Sequence, residues 1–267
     1  MDGLGNDFVI FDNRNNSIKL NKNQIIKISD RNFIGCDQLI IINYSKEYDA
    51  ELIFYNSDGN ISEACGNGTR CVAYILSLEK ERNKISLKTK SGVLNSKIIS
   101  KKNVETEMGK PKFNWREIPL IKELDINNLK IKIIDKSNIE LIGGIAVNIG
   151  NPHLVFFVND LELFNLEKIG PQLEKHEYFP EKCNVTLAKI INQESIKVKV
   201  WERGAGLTKA CGTAACAVAI AAERNGLAKK EVNIKFEQGD LSISINKENI
   251  VKLKGPVSNI EKIKINI

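Results

Sequence analysis

The sequence predicts an α/β (α+β) protein of two pseudo-symmetric domains from an internal duplication, each a curled, mostly antiparallel sheet around a buried central helix. Three observations predict this. Landmark residues recur in the same order at a nearly constant offset along the 267-residue chain. Short, β-branched segments with apolar–polar alternation dominate it. Two segments, "YNSDGNISEACGNGTRCVAYIL" from Tyr55 and "WERGAGLTKACGTAACAVAI" from Trp201, each open a helix with the same Ala-Cys-Gly signature.

The offset sets the domain organisation. Cys65 and Cys211 stand 146 positions apart, Asn6 and Asn151 145, Cys36 and Cys183 147, Asn56 and Glu202 146, and Cys71 and Cys216 145. A period this long means two homologous domains rather than a solenoid. The expected domains are 1–110 and 111–255, with a C-terminal strand over 256–267 returning to the first. The stretches "MGKPKFNW" and "LKGPVSNIEK" mark the two crossings.

Each repeat reads as a strand from a Gly-Asn motif, a helix, strands, the Cys-Gly helix and more strands. The Gly-Asn strands are "GNDFVIFDN" from Gly5 and "GNPHLVFFVND" from Gly150. Helices are expected at Lys22 to Asp30, Gly66 to Glu79, Ile169 to Lys175 and Thr213 to Asn225. The last of these is apolar nearly all round (Ala214 to Ile220), which marks it as buried. Arg224 and Gly226 are its C-terminal signals. The other strands are "QLIIIN", "AELIFYN", "KISLKT", "LNSKIIS", "LKIKIID", "IKVKVWE", "VNIKFE", "LSISIN", "IVKLKG" and "KIKINI".

Composition excludes several functions. Hydrophobic residues are 42% and charged residues 27%, as in soluble globular proteins. No apolar run reaches the ~18 residues that span a bilayer. The start, "MDGLGNDFVI", lacks a basic segment followed by an apolar one, so no signal peptide and a cytoplasmic location are expected. The net charge of +6 comes from lysines scattered among Asn and Ile. They read as a solvated surface, so neither a nucleic-acid nor a membrane partner is expected. The six cysteines show no C-x2-C spacing, and His153 and His176 are the only histidines. No metal is expected.

Cys65 and Cys211 carry the chemistry. At the first turn of a helix, unpaired N–H groups and the helix dipole favour an anion. That position is expected to lower a thiol from its ordinary pKa of about 8.5. The backbone of Gly66, Asn67 and Gly68, or of Gly212 and Thr213, can hold a carboxylate. Two such thiols related by a duplication suit stereoinversion, in which one thiolate removes an α-proton and the opposite thiol returns one to the other face. Cys36, Cys71, Cys183 and Cys216 read instead as small buried residues.

The motifs "GLGNDF", "GCDQ", "EACGNGTRCVA", "EMGKP", "GNPHLVFF", "FPEKCNV", "ERGAGLTKACGTAACA" and the closing "GP" resemble, in order and over the whole chain, the diaminopimelate epimerase family. The resemblance implies a pyridoxal-independent enzyme without cofactor. Such enzymes interconvert LL- and meso-diaminopimelate on the route to lysine and peptidoglycan. It implies two similar α/β domains with the active site in the cleft between them, and a homodimer. The family's catalytic cysteines fall on Cys65, drawn as proton donor, and Cys211, drawn as acceptor. Its substrate-contacting residues fall on Asn6, Gln38, Asn56, Asn151, Asn184, Glu202 and Arg203, with the backbone of Gly66, Asn67, Gly212 and Thr213. His153 matches a histidine near the site.

Arg203 suits the distal carboxylate of such a substrate in a bidentate pair. Glu202 suits an ammonium, and the amides supply neutral partners that cost less to bury than charges. The first motif stands at the very start of the chain, so a shortened first strand is expected, and Asp2 replaces the family's usual His or Gln. The alternatives are a proline or hydroxyproline racemase-type enzyme and, from another class, a dithiol redox protein. Glu202 and Arg203 argue against the first, because a cyclic monocarboxylate needs no distal charge pair. The lack of C-x-x-C argues against the second.

Overall fold

The computed structural model describes residues 1–62, 65–134 and 139–265. The chain forms two compact units, one of 1–107 with 254–267 and one of 108–253.

The first unit begins with β1 (Asp2–Gly3), β2 (Asn6–Asn13), α1 (Lys22–Ser29), β3 (Gln38–Asn43), β4 (Ala50–Asn56) and β5 (Ile61–Ser62). It continues with α2 (Gly66–Lys80), β6 (Lys84–Thr89), β7 (Gly92–Ser100) and β8 (Asn103–Gly109). Its sheet runs β1-β2-β3-β4-β6-β7-β8, with β5 on β4. The β2–β3 and β4–β6 pairs are parallel and the others antiparallel.

Side-chain alternation splits β2 and β3 between two layers. Phe8, Ile40 and Ile42 join Leu52 and Phe54 in the layer that holds Cys71, Val72 and Leu76 of α2. Val9, Leu39 and Ile41 face the other way, onto Ile25 and Ile28 of α1. Helix α2 touches β1 and β2 towards one end of the sheet and β6 and β7 towards the other, so the sheet curls around it. Gly68 makes this close approach possible, because a Cβ there would lie 2.7 Å from Ile40 Cδ1 and 3.0 Å from Phe54 Cε1.

The second unit contains β9 (Ile131–Ile134), β10 (Glu140–Gly143), β11 (Ile145–Asn148), β12 (Pro152–Phe157), α3 (Leu166–Glu174), β13 (Asn184–Asn192) and β14 (Ser195–Glu202). It then has β15 (Gly206–Thr208), α4 (Gly212–Arg224), β16 (Glu231–Phe236) and β17 (Gly239–Ile245), and β18 (Val251–Pro256) begins in it. The path β11-β12-β13-β14-β16-β17, with β15 on β14, repeats the β1-β2-β3-β4-β6-β7 part of the first unit's sheet strand for strand. The parallel pairs are again the equivalent ones, β12–β13 and β14–β16. Leu154, Val185 and Leu187 pack on Ile169 and Leu173 of α3, as Val9, Leu39 and Ile41 pack on α1. The buried α4 touches β11, β12, β13, β16 and β17.

The structure departs from the sequence reading at several elements. Strands β5, β8, β10, β11, β13 and β15 were not anticipated. Helix α3 starts at Leu166 rather than Ile169, because Asn165 caps it by accepting from the Lys168 N–H at 3.2 Å. The strand expected over 256–267 does not form across 257–265, and "KIKINI" pairs with no strand at 262–265. Its lysine–isoleucine alternation imitates a half-buried strand, yet Ile263 is exposed. The segment instead ties to the first unit by single hydrogen bonds. Val257 N–H donates to Lys102 O at 2.9 Å and Ser258 N–H to Asp2 O at 2.9 Å. Asp2 N–H donates to Ser258 Oγ at 2.7 Å, and Asp2 Oδ1 caps the turn by accepting from Gly5 N–H at 3.0 Å. Strand β1 has two residues.

Candidate active site

Cys65 and Cys211 are the N-cap residues of α2 and α4, in nearly the same backbone conformation: φ −129°, ψ 114° and φ −135°, ψ 117°. Neither side chain caps its helix. Each thiol is thus left for other partners at a helix end whose first N–H groups have no intrahelical acceptor. Gly66 and Gly212 follow directly, and both are buried.

In the first unit the half-buried Cys65 donates its S–H to Asn6 Oδ1 at 3.5 Å. The same oxygen accepts from Asn67 Nδ2 at 3.3 Å. Asn6 Nδ2 donates to Asp37 Oδ2 at 3.0 Å. Gln38 and Asn56 stand opposite each other on β3 and β4, and Gln38 Nε2 donates to Asn56 Oδ1 at 2.9 Å. Gln38 Oε1 and Asn67 Oδ1 are buried with no protein partner, so both offer an acceptor. Every one of these expected contact residues carries a neutral amide.

The second unit is charged. Asn184, equivalent to Gln38, accepts from Arg203 N–H on Oδ1 at 3.0 Å and donates through Nδ2 to Pro152 O at 3.1 Å. Arg203 Nη1 donates to Glu181 O at 3.0 Å. Glu202 Oε1 accepts from the Thr208 hydroxyl at 2.5 Å. Asn151 Oδ1 lies 2.9 Å from His153 Nε2. Burial, with the Arg203 charge adding to it, pushes His153 down to about 3. The neutral ring therefore donates from Nε2, since a carbonyl oxygen can only accept.

Cys211 is 5% exposed, and its sulfur lies 3.4 Å from Thr213 Oγ1. The expectation of a lowered thiol pKa fails here. Burial, followed by the charge of Glu202, pushes Cys211 well up, and outweighs the help that Thr213 and the Ala214 N–H give the thiolate. Burial likewise raises Cys36, Cys183 and Cys71, the last to about 12, in keeping with their reading as packing residues.

Sequence reasoning missed Asp37, Thr208 and the fully buried Arg70. Asp37 was in view, inside "GCDQ", but its partner comes from strand pairing. Arg70 Nη2 lies 3.1 Å from where a Cβ on Gly3 would stand, so that glycine leaves room for the guanidinium. Among the described residues, no group of three or more His, Cys, Asp or Glu side chains is placed to hold a metal ion. No helix there is long and apolar enough to cross a membrane.

The duplicated α/β fold, with a cysteine capping the equivalent helix of each half, has solved counterparts. A predicted epimerase from Pseudomonas aeruginosa superposes with a TM-score of 0.69 at 14% identity, over 98% of this chain and 94% of the other. The diaminopimelate epimerase family model matches residues 1–114 and 145–260. A diaminopimelate epimerase of Pelagibacter ubique (strain HTCC1062) is 62% identical over 267 residues, covering 100% of this chain and 97% of the relative. That of Acidiphilium cryptum (strain JF-5) is 39% identical over 259 residues, covering 97% and 92%. The chain belongs to the diaminopimelate epimerase family.

Proposed function

We propose that this protein epimerises LL-2,6-diaminopimelate to the meso isomer, without pyridoxal, by two-base proton transfer between Cys65 and Cys211. The observation that carries the reading is the pair of equivalent cysteine N-caps within a chain of this family. The proline-racemase and redox alternatives lose ground to the family membership.

Inversion needs a base on one face of the α-carbon and an acid on the other. In this reading one thiolate takes the α-proton and the other thiol delivers its own, and the roles exchange in the reverse direction. The carboxylate next to that carbon gains negative charge as the proton leaves. The N–H groups of Gly66, Asn67, Gly212 and Thr213 are the donors proposed to hold it. Asn6, Gln38, Asn56, Asn151 and Asn184 are proposed to bind the polar groups, Glu202 an ammonium and Arg203 the distal carboxylate. His153 supports Asn151 and stays neutral. Burial and the Glu202 charge raise Cys211, so to act as the acceptor it first gives its proton up to solvent, while Cys65 keeps its own as the donor. The two units are proposed to be the two epimerase domains of a cytoplasmic homodimer.

Alpha-proton exchange tests this. Reduced protein is incubated with LL-diaminopimelate in D2O without pyridoxal phosphate, and deuterium uptake and meso product are followed by NMR. Epimerisation by the wild type that is lost in Cys65→Ala and in Cys211→Ala supports the two-thiol route. Full activity in either variant removes that cysteine from the mechanism.

A further inference from the structure

We propose that Asp37 is a positioning residue that fixes the Asn6 amide with its oxygen towards Cys65, so that this thiol is held as the protonated donor. The inference rests on the catalytic reading of Cys65.

An asparagine amide can present either its oxygen or its NH2 to a neighbour, and its surroundings decide which. A carboxylate only accepts. Asp37 Oδ2, 3.0 Å from Asn6 Nδ2, therefore selects the NH2 side. The oxygen is left for the Cys65 S–H at 3.5 Å, and the Asn67 Nδ2 donor on that oxygen favours the same orientation.

Asp37 is itself clamped. Asp7 N–H donates to Asp37 Oδ2 at 3.1 Å, and Asp37 N–H donates to Asp7 Oδ1 at 2.9 Å, where β2 and β3 start side by side. Arg31 bridges the two carboxylates, with Nη1 on Asp7 Oδ2 at 2.6 Å and Nη2 on Asp37 Oδ1 at 2.7 Å. A surface ion pair contributes little stability by itself. This one has a different consequence, because it stops the Asp37 carboxylate turning away from Asn6. The second unit keeps the equivalent asparagine but not the device. Asn151 turns its oxygen to His153 instead, and Cys211 meets the Thr213 hydroxyl.

The test reads Cys65 directly, through the pH dependence of its alkylation by iodoacetamide, resolved by peptide mass spectrometry. In Asp37→Asn, residue 37 can accept or donate, so Asn6 is free to turn its NH2 to the sulfur and favour the thiolate. The Cys65 midpoint falls by about one pH unit. Asp7→Asn removes a negative charge from the same cluster but leaves the Asn6–Asp37 bond, and the midpoint stays. Equal shifts in both variants would reduce the effect to charge alone and overturn the proposal, as would no shift in folded Asp37→Asn.

In Asn6→Ala the further change Asp37→Asn moves nothing, whereas a second shift there overturns the proposal. If Asp37→Asn does not fold, wild-type NMR decides. Nuclear Overhauser contacts from the Asn6 NH2 to the Asp37 β-protons support the orientation, and contacts to the Cys65 β-protons overturn it. Loss of the catalytic reading itself would appear separately, as epimerisation that survives Cys65→Ala.

Discussion

The sulfur of Cys211 lies 3.4 Å from the hydroxyl of Thr213, in the first turn of the helix that Cys211 caps. Glu202 acts on the same thiol in the opposite sense, since burial and then its charge raise the pKa that Thr213 lowers. Thr213→Val is expected to slow alkylation of Cys211 several-fold near neutral pH, and Glu202→Gln to speed it. Peptide-resolved alkylation rates of the substrate-free protein check both. The reverse order would mean that another group sets the ionisation of this thiol.

The buried packing thiols should behave differently from the half-buried Cys65. Cys71 is pushed up to about 12 by burial, and Cys36 and Cys183 are raised for the same reason. The native protein at mildly alkaline pH is expected to leave these three unlabelled while Cys65 reacts. Denaturant exposes them all. Labelling of Cys71 in the folded state at a rate matching Cys65 would show that α2 opens locally.

His153 makes a prediction about stability. Its folded pKa is pushed down to about 3 by burial, with Arg203 adding to it, against about 6.5 in an unfolded chain. Between these values the unfolded chain binds a proton that the folded chain does not. The contribution is therefore fully present above the unfolded value and is lost as pH falls through this window. Melting temperature should drop between about pH 7 and pH 5. His153→Gln keeps a donor for Asn151 Oδ1 without the titration, so its slope should be flatter. An unchanged slope would place the acid sensitivity elsewhere, with His176 the next candidate because burial lowers it too.

The parts of this protein that the sequence displays are those with local causes. The cysteine caps were legible because Cys-Gly and the apolar run after it stand together in both repeats. β3 and β4 were legible because "QLIIIN" and "AELIFYN" are continuous and β-branched. β8 was not, because "NVETEMG" is mostly polar and only Val104 and Thr106 turn inward. "KIKINI" has the alternation of a strand but no partner across 262–265. The ionisation of Cys211 could not be read locally either. The helix start favours a thiolate, and only the tertiary packing around it, with Glu202 brought near, reverses that preference. Asp37 and Thr208 were missed for the same reason, since strand pairing decides what their side chains meet.

Gly170 and Trp201 connect the packing to the site. A Cβ on Gly170 would stand 2.6 Å from Cδ2 and 2.7 Å from Cγ of the Trp201 ring. The ring cannot simply slide away, because its Nε1 donates to Glu174 Oε2 at 2.7 Å. Alanine is the better helix former by about 1 kcal/mol, but overpacking of this kind costs about 1–3 kcal/mol. Gly170→Ala is therefore expected to lower the melting temperature and to shift the fluorescence of Trp201. Along β14 successive side chains face opposite ways. Trp201 points to α3, and the next residue, Glu202, acts on Cys211. A displaced Trp201 should thus also raise KM for diaminopimelate through Glu202. A variant as stable as the wild type, with unchanged KM, would show that α3 moves aside without loading the strand.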